Sequence, residues 1–419
     1  TGTSAATTFN HTGSLVLGNG AGDTLTFAKG LTATAPTAIS TAGTLATSNA
    51  AIVLGTAPVT LTGNTTLNAG TGAITLGGTV DGAYNLALHS TGVTTLGAAV
   101  GDGVALISVT TDAGGTVLIQ GARVRTTGAQ SFAESVTLSG NTTLTGASIR
   151  FDGSVTGSGS LNVEGAATLN GATVTTQGAQ TYNGAVTLLK NTVLNANAAQ
   201  VSFVSTLDGG YDLTVNTTGT TSFGGNVGAG TPLTSLTTNA GGMVLIDAAI
   251  AHTTGAQTYN EMVSLQRGTT LTASVVTFND AVVGAGDLSV VGAAVLNAGA
   301  ISTSGAQSYS AATTLMRDTV LTAGAGGVSF GGAVDGAYAL TVNTQGDTSF
   351  LDTVGATHAL TSLTTDASTS GRVLMNGGSV TTTGAQSYGE AVLLGRNTTL
   401  TSTATGDIEF GNTLDGAYS

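Results

Sequence analysis

The chain has 419 residues, of which 64 are Gly, 41% are hydrophobic and only 7% are charged. Apolar content this high with so little charge excludes intrinsic disorder, and the three prolines leave almost every backbone N–H free to pair. A net charge of −13 excludes nucleic acid as the expected partner, because phosphate recognition needs clustered Lys and Arg, and the absence of Cys excludes disulfides and thiolate metal sites.

Along the chain, Thr1-Gly2-Thr3 opens without Met or the charged-then-apolar pattern of a signal peptide. No apolar run reaches the ~18 residues of a membrane helix, so the chain is not expected to be membrane-embedded. Residues 18–23, Gly-Asn-Gly-Ala-Gly-Asp, match a calcium-binding nonapeptide loosely and once, whereas such sites come in arrays. An Asp-Gly-x-Tyr turn at 81–84 returns at 208–211 and again at 335–338, at equal intervals. The Asp of each turn is expected to satisfy its own turn backbone. Arg150 and Asp152 would point the same way on a strand and form a surface ion pair.

From position 128 onward, Gly-Ala-Gln followed by Ser/Thr and an aromatic occurs at Gly128, Gly178, Gly255, Gly305 and Gly384. A short unit of about 50 residues therefore alternates with a long one of about 78 residues, within a superperiod of about 128 residues. Each unit carries Gln130, Gln180, Gln257, Gln307 or Gln386, then Phe132, Tyr182, Tyr259, Tyr309 or Tyr388. Twelve residues after the Gly comes Gly140, Lys190, Arg267, Arg317 or Arg396, followed by a phrase such as Asn141-Thr142-Thr143-Leu144. A second aromatic, Phe151, Phe203, Phe278, Phe330 or Phe410, completes the unit. The alternation fails once: Gly384 should open a short unit but runs into the long-unit turn at 415–418.

Short apolar–polar alternation, as in Ser135-Val136-Thr137-Leu138, is punctuated by Gly, Asn and Asp every few residues, and no helical period appears. Such strands suit the faces of a solenoid whose coils, of roughly 20 to 26 residues, stack in parallel. The expected fold is all-β, a single continuous β-solenoid over 1–419. Residues 1–127 form a degenerate superrepeat, 128–254 and 255–383 two further ones, and 384–419 the start of a truncated repeat. Tandem sandwiches and a propeller fit the alternating unit lengths less well.

Most recurring residues have a structural reading. The five Phe, with the aromatics after Gly-Ala-Gln, are expected to stack between coils, and each Gln to bond backbone at a coil corner. Lys190, Arg267, Arg317 and Arg396 read as solubilising charges at one outward turn, or as a spaced row of cations for an acidic polysaccharide. Tyr84, Tyr211 and Tyr338 are either core or exposed sugar-stacking platforms. These seven residues are the candidate glycan or partner surface. His11, His89, His252 and His358 fall at unrelated positions, and no stretch concentrates the charged residues of a polysaccharide lyase or hydrolase. No catalytic residue, cofactor or metal is expected.

The phrases Thr-Thr-Gly-Ala-Gln-Ser-Tyr, Asn-Thr-Thr-Leu-Thr and Asp-Gly-Ala-Tyr-x-Leu-Thr-Val-Asn-Thr, with Leu-Thr-Ser-Leu-Thr-Thr at 233–238 and 360–365, resemble the shaft repeats of bacterial exoproteins of the filamentous-haemagglutinin type. The resemblance runs from about residue 60 to the end. It implies a right-handed parallel β-helix rod, two-partner secretion through an outer-membrane β-barrel transporter, and a secreted or cell-surface place. It also implies a role in adhesion, aggregation or biofilm matrix. The chain lacks the Asn-Pro motifs of the family's secretion domain, and it opens and ends inside the pattern, so an internal shaft segment is expected. The expected function is a non-enzymatic spacer, with exopolysaccharide or cell-surface glycan binding and self-association as candidate additions. A carbohydrate-active β-helix enzyme is the alternative, and an ice-binding solenoid a further one.

Overall fold

The computed structural model describes residues 5–368 and 370–419, and these contain strands and turns but no helix. Strands pair in parallel with partners about one coil away, as in Leu271 with Val290 and Leu321 with Val342. Parallel pairing throughout rules out the sandwich and propeller alternatives, whose neighbouring strands run antiparallel. The chain divides into two compact units, Thr1–Ser205 and Thr206–Ser419. Each is a parallel β-solenoid, and the division falls inside the superrepeat 128–254.

Three columns of strands build each unit. In the second unit the first column runs through Leu236, Gln257, Val276, Ala294, Thr313 and Val334. The second runs through Leu271, Val290, Tyr309, Phe330, Phe350 and Met375. The third runs through Val282, Ile301, Leu321, Val342, Thr365 and Tyr388. Partners in these columns stand 18 to 25 residues apart, and coils such as Val276 to Ala294 and Leu271 to Val290, at 18 and 19 residues, fall just below the expected range. The step from Phe350 to Met375 is the longest of them. The first unit repeats the plan with columns through Val163 and Tyr182, Gln130 and Ile149, and Val136 and Val155.

The sequence repeat does not contain a whole number of coils. Between Gln257 and Gln307 the chain advances eight column positions, and between Gln307 and Gln386 eleven. With three positions per coil, the short unit is two and two-thirds coils and the long unit three and two-thirds. The long unit is thus a short one plus one complete coil. Consequently Gln257 lies in the first column, Gln307 enters the second beside Tyr309, and Gln386 enters the third beside Tyr388. Each copy of the phrase is presented on a new face.

Interior positions mostly alternate with outward ones, and the interior is filled largely by Val, Leu, Ala and the recurring aromatics. Phe132 stacks on Phe151 at 5.7 Å, Tyr182 on Phe203 at 5.4 Å, and Tyr259 on Phe278 at 5.7 Å. Tyr309, Phe330 and Phe350 form a three-ring stack with spacings of 5.4 and 5.3 Å. Tyr388 stacks on the half-buried Phe410 at 5.3 Å. The expected aromatic ladders are present, and each contact contributes about 0.5–1.5 kcal/mol beyond burial.

The five glutamines are buried at 0–1% exposure and close the corner ahead of each aromatic. Gln257 Nε2 donates to the carbonyls of Ala251, in its own coil, and Thr272, in the next, at 2.9 and 3.0 Å. Gln307 does the same with Ile301 and Thr322, and Gln130 with Val124 and Thr145. The amide oxygen accepts from the Tyr hydroxyl two residues on, at 3.2 Å in Tyr182, 3.0 Å in Tyr259, 3.1 Å in Tyr309 and 2.8 Å in Tyr388. Burial pushes these phenols well above their usual range, which keeps them neutral donors. A Thr four residues before each Gln seals the turn by donating to the Gly carbonyl, as Thr253 does to Gly255 at 2.9 Å.

The first of these corners is incomplete. Phe132 has no hydroxyl, and Gln130 Oε1 is buried without a partner. Phe132→Tyr is therefore expected to stabilise the first unit by about 1 kcal/mol by satisfying that oxygen. Tyr259→Phe should cost about 1–3 kcal/mol by orphaning Gln257. Denaturant midpoints that move the other way would refute this account of the corner.

Candidate functional site

The Asp-Gly-x-Tyr turns form the outward feature that recurs with the superrepeat. Gly82, Gly209 and Gly336 hold φ of +132°, +133° and +135°, a region that L side chains avoid. A Cβ on Gly82 or Gly336 would also lie 2.4 Å from the carbonyl oxygen of Leu61 or Leu315. The turn therefore fits close against the coil below, and the Tyr ring leaves it at 38% exposure in Tyr84, 38% in Tyr211 and 37% in Tyr338. All three are half-exposed rather than core.

The carboxylates of these turns act one coil away. Asp81 Oδ1 accepts from the N–H groups of Gly103 and Val104 at 2.8 and 2.9 Å. Asp208 accepts from Gly230 and Thr231 at 2.8 and 3.0 Å, and Asp335 from Thr357 and His358 at 2.9 and 3.1 Å. The expectation that each Asp satisfies its own turn is corrected: in parallel stacking the nearest unpaired donors belong to the loop of the following coil. That loop is anchored at its far end, where Thr361 N–H donates to Tyr338 O at 3.0 Å and Gly384 N–H donates to Thr361 O at 2.8 Å. A Tyr turn, a clamped loop and the Gly-Ala-Gln corner thus stack over three successive coils.

The residues around the three rings differ. Val104 and Ile107 flank the first corner, Thr231 and Thr234 the second, and His358 and Thr361 the third. Tyr211 leaves the second column of its unit and Tyr338 the first, so the two rings stand at different corners.

The recurring cations do not form a row within the second unit. Arg267 follows Leu265 in the third column, Arg317 follows Leu315 in the first, and Arg396 follows Leu394 in the second. Each folds down onto the coil below: Arg267 pairs with Asp247 at 2.8 Å, while Arg317 and Arg396 reach the carbonyls of Asn297 and Asn376 at 3.5 and 3.4 Å. Their own carbonyls are held by Thr269, Thr319 and Thr398. Lys190, in the first unit, is exposed. These are solvated corner contacts worth about 0–1 kcal/mol each.

Arg150 and Asp152 form the anticipated pair, at 2.6 Å, and Asn170 also donates to Asp152. The bidentate Arg150 guanidinium holds the Asp152 carboxyl below its usual range. Among the described residues no three His, Asp or Glu side chains come close enough to hold a metal, and the four histidines are not brought together. Two shallow grooves with mostly apolar lining recur where Gly157 and Gly284 leave out a side chain, lined by Thr137 and Leu138 in one and Leu265 and Val283 in the other.

Sequence reasoning passed over Glu134, Glu261 and Glu390. They stand two residues after Phe132, Tyr259 and Tyr388, one in each superrepeat from position 128 onward, and are buried at 4%, 1% and 0% exposure. Burial pushes each carboxyl up to about 7, with Asp112 adding to the rise in Glu134 and Asp366 and Asp347 in Glu390. The signal was available as an acid recurring at the superperiod in a chain with few charges. It was hidden because the long units, opened by Gly178 and Gly305, carry Gly184 and Ala311 at the same place.

No protein-family model matches the chain, and neither the curated proteins nor the solved structures yield a match.

Asp335→Ala would leave the N–H groups of Thr357 and His358 without their acceptor. The expected result is faster amide exchange confined to residues 355–361, reflecting about 1 kcal/mol of local stability, with the global denaturation midpoint unchanged. Exchange spreading through the neighbouring strands would show that the clamp also supports the core.

Proposed function

We propose that the chain is a non-enzymatic shaft segment of a large secreted bacterial adhesin, acting as a rigid spacer in cell adhesion, aggregation or biofilm matrix. The observation that carries this reading is how the recurring residues are used. The Gln, the aromatic pair and the Thr of each unit are consumed by corner hydrogen bonds and the core. What remains outside, one Tyr turn per superrepeat with Lys190 in 128–254 and Arg267 and Arg317 in 255–383, is not gathered into a pocket, and in the second unit it is carried to successive corners. Parallel ladders along every face resist bending and stretching, which suits a spacer.

The phrasing shared with filamentous-haemagglutinin-type shafts supports the adhesin context, including export through an outer-membrane β-barrel partner and self-association at the cell surface. The half-exposed rings of Tyr84, Tyr211 and Tyr338 are the surface we assign to weak, repeated contact with exopolysaccharide or cell-surface glycan.

Pull-down of the chain on matrix polysaccharide tests both parts. Retention by the parent and loss in the Tyr84→Ala, Tyr211→Ala, Tyr338→Ala variant is expected for glycan contact. Retention by neither leaves the spacer role without a glycan ligand. Release of shortened or unsaturated oligosaccharides by the parent would overturn the non-enzymatic reading.

A further inference from the structure

The corners that hold Glu134, Glu261 and Glu390 share one construction. Each carboxyl packs over a glycine of the coil below, Gly115, Gly242 or Gly371, and a Cβ on that glycine would lie 2.5 to 2.6 Å from the nearer carboxyl oxygen. The same point is 2.1 to 2.3 Å from a backbone carbonyl oxygen of the coil beneath: Gly92, Gly219 or Gly346. The carboxyl and a backbone carbonyl therefore crowd the same glycine, each too close to leave room for a side chain there. The Gly115 N–H lies toward Glu134, and the Gly242 N–H and the Thr238 hydroxyl lie toward Glu261, each favouring the charged form, but burial outweighs them and all six carboxyl oxygens lack a hydrogen bond of ordinary geometry.

Two coils down, at the same corner, the hydroxyls of Thr94, Thr221 and Thr348 are also buried without partners. The charged neighbours are almost all acidic. Asp112 lies below Glu134, with Asp152 above it already paired to Arg150. Asp280 stands above Glu261, and Asp366 and Asp347 face Glu390, the latter paired with Arg372. None of the ion pairs of the described residues includes these glutamates.

We infer that Glu134, Glu261 and Glu390 are carried as neutral acids that donate to the backbone of the coil below, so that coil stacking at these corners depends on bound protons. A carboxylate buried without a partner or a cation, among other acids, is disfavoured by burial and by repulsion, whereas a carboxylic acid supplies a donor. The acid is not needed for packing, because Gly184 and Ala311 occupy the same position after Tyr182 and Tyr309 in corners that close without it. Folding takes up a proton at each of the three sites, since their affinity for it is higher folded than unfolded. The stabilisation is full below about 4.5, falls as pH rises from there to about 7, and is absent above.

The test is denaturant unfolding of the intact chain at about pH 5 and about pH 8, with and without calcium or sodium. The expected result is a folding equilibrium weaker at the higher pH by roughly tenfold or more per carboxyl in the unit that holds it, and a flat profile in Glu134→Gln, Glu261→Gln, Glu390→Gln. Infrared spectra of the parent with carbon-13 glutamate keep the question decidable if that variant fails to fold. Glu134, Glu261 and Glu390, three of the five glutamates, should show the protonated carboxyl band at about pH 6. Equal stability at both pH values, no protonated carboxyl band in the infrared spectrum at about pH 6, or stabilisation by the cation in place of the proton would each overturn the inference.

Discussion

Parallel stacking makes each coil the hydrogen-bonding partner of the next, and the rest of this molecule follows from that dependence. A strand residue satisfies its backbone through strands about one coil away, so each corner must deliver the chain to the following strand in register. Corners are the weak points, because there the backbone turns and its polar groups leave the ladder. The buried glutamine answers this with one amide that bonds carbonyls of its own coil and of the next. The adjacent tyrosine completes the amide oxygen and buries its ring against the ladder. Specificity of register and apolar burial are thereby joined in two neighbouring residues.

Shape and sequence repeat on different periods. The superrepeat of the second unit spans six and one-third coils, so equivalent residues advance by one face with each copy. A feature that must lie inside is indifferent to this rotation, since all three faces offer an equivalent interior; the aromatics and glutamines are of this kind. A feature that must lie outside on one side would be scattered by it. The rotation therefore sorts the recurring residues physically. The glutamines and aromatics, which recur in every unit, are the ones the core uses, and Arg267, Arg317 and Arg396 meet their partners locally, each on the coil immediately below.

The all-β class, the stacking and the aromatic ladders were legible because they depend on spacing and on period-2 alternation, which a single chain displays. The corner role of the glutamines was legible for the same reason, from a fixed place beside an aromatic. The length of a coil was not, because the repeat unit is a fractional number of coils and its length constrains only the sum. The place of the cations at different corners was lost with it. The reach of Asp81, Asp208 and Asp335 into the following coil was also hidden. An Asp before Gly suggests a local turn, and only the register shows that the nearest free donors lie one full coil further on.

The buried carboxyls follow from the same sorting by a less familiar route. With so few charges in the chain, an acid recurring at the superperiod must belong to the scaffold or to a surface, and the rotation argues for the scaffold because it treats all interiors alike. Threonine, glutamine and tyrosine close corners with donors that do not titrate. Glutamic acid at the same corner closes it with a donor that exists only while protonated. A solenoid transmits disturbance mainly between neighbouring coils, so loss of that donor loosens one corner and its adjacent ladder before it affects the remainder. A few titratable corners among many neutral ones thus confine the response to places set by the repeat, while the hydrogen bonds of the other coils are left as they were.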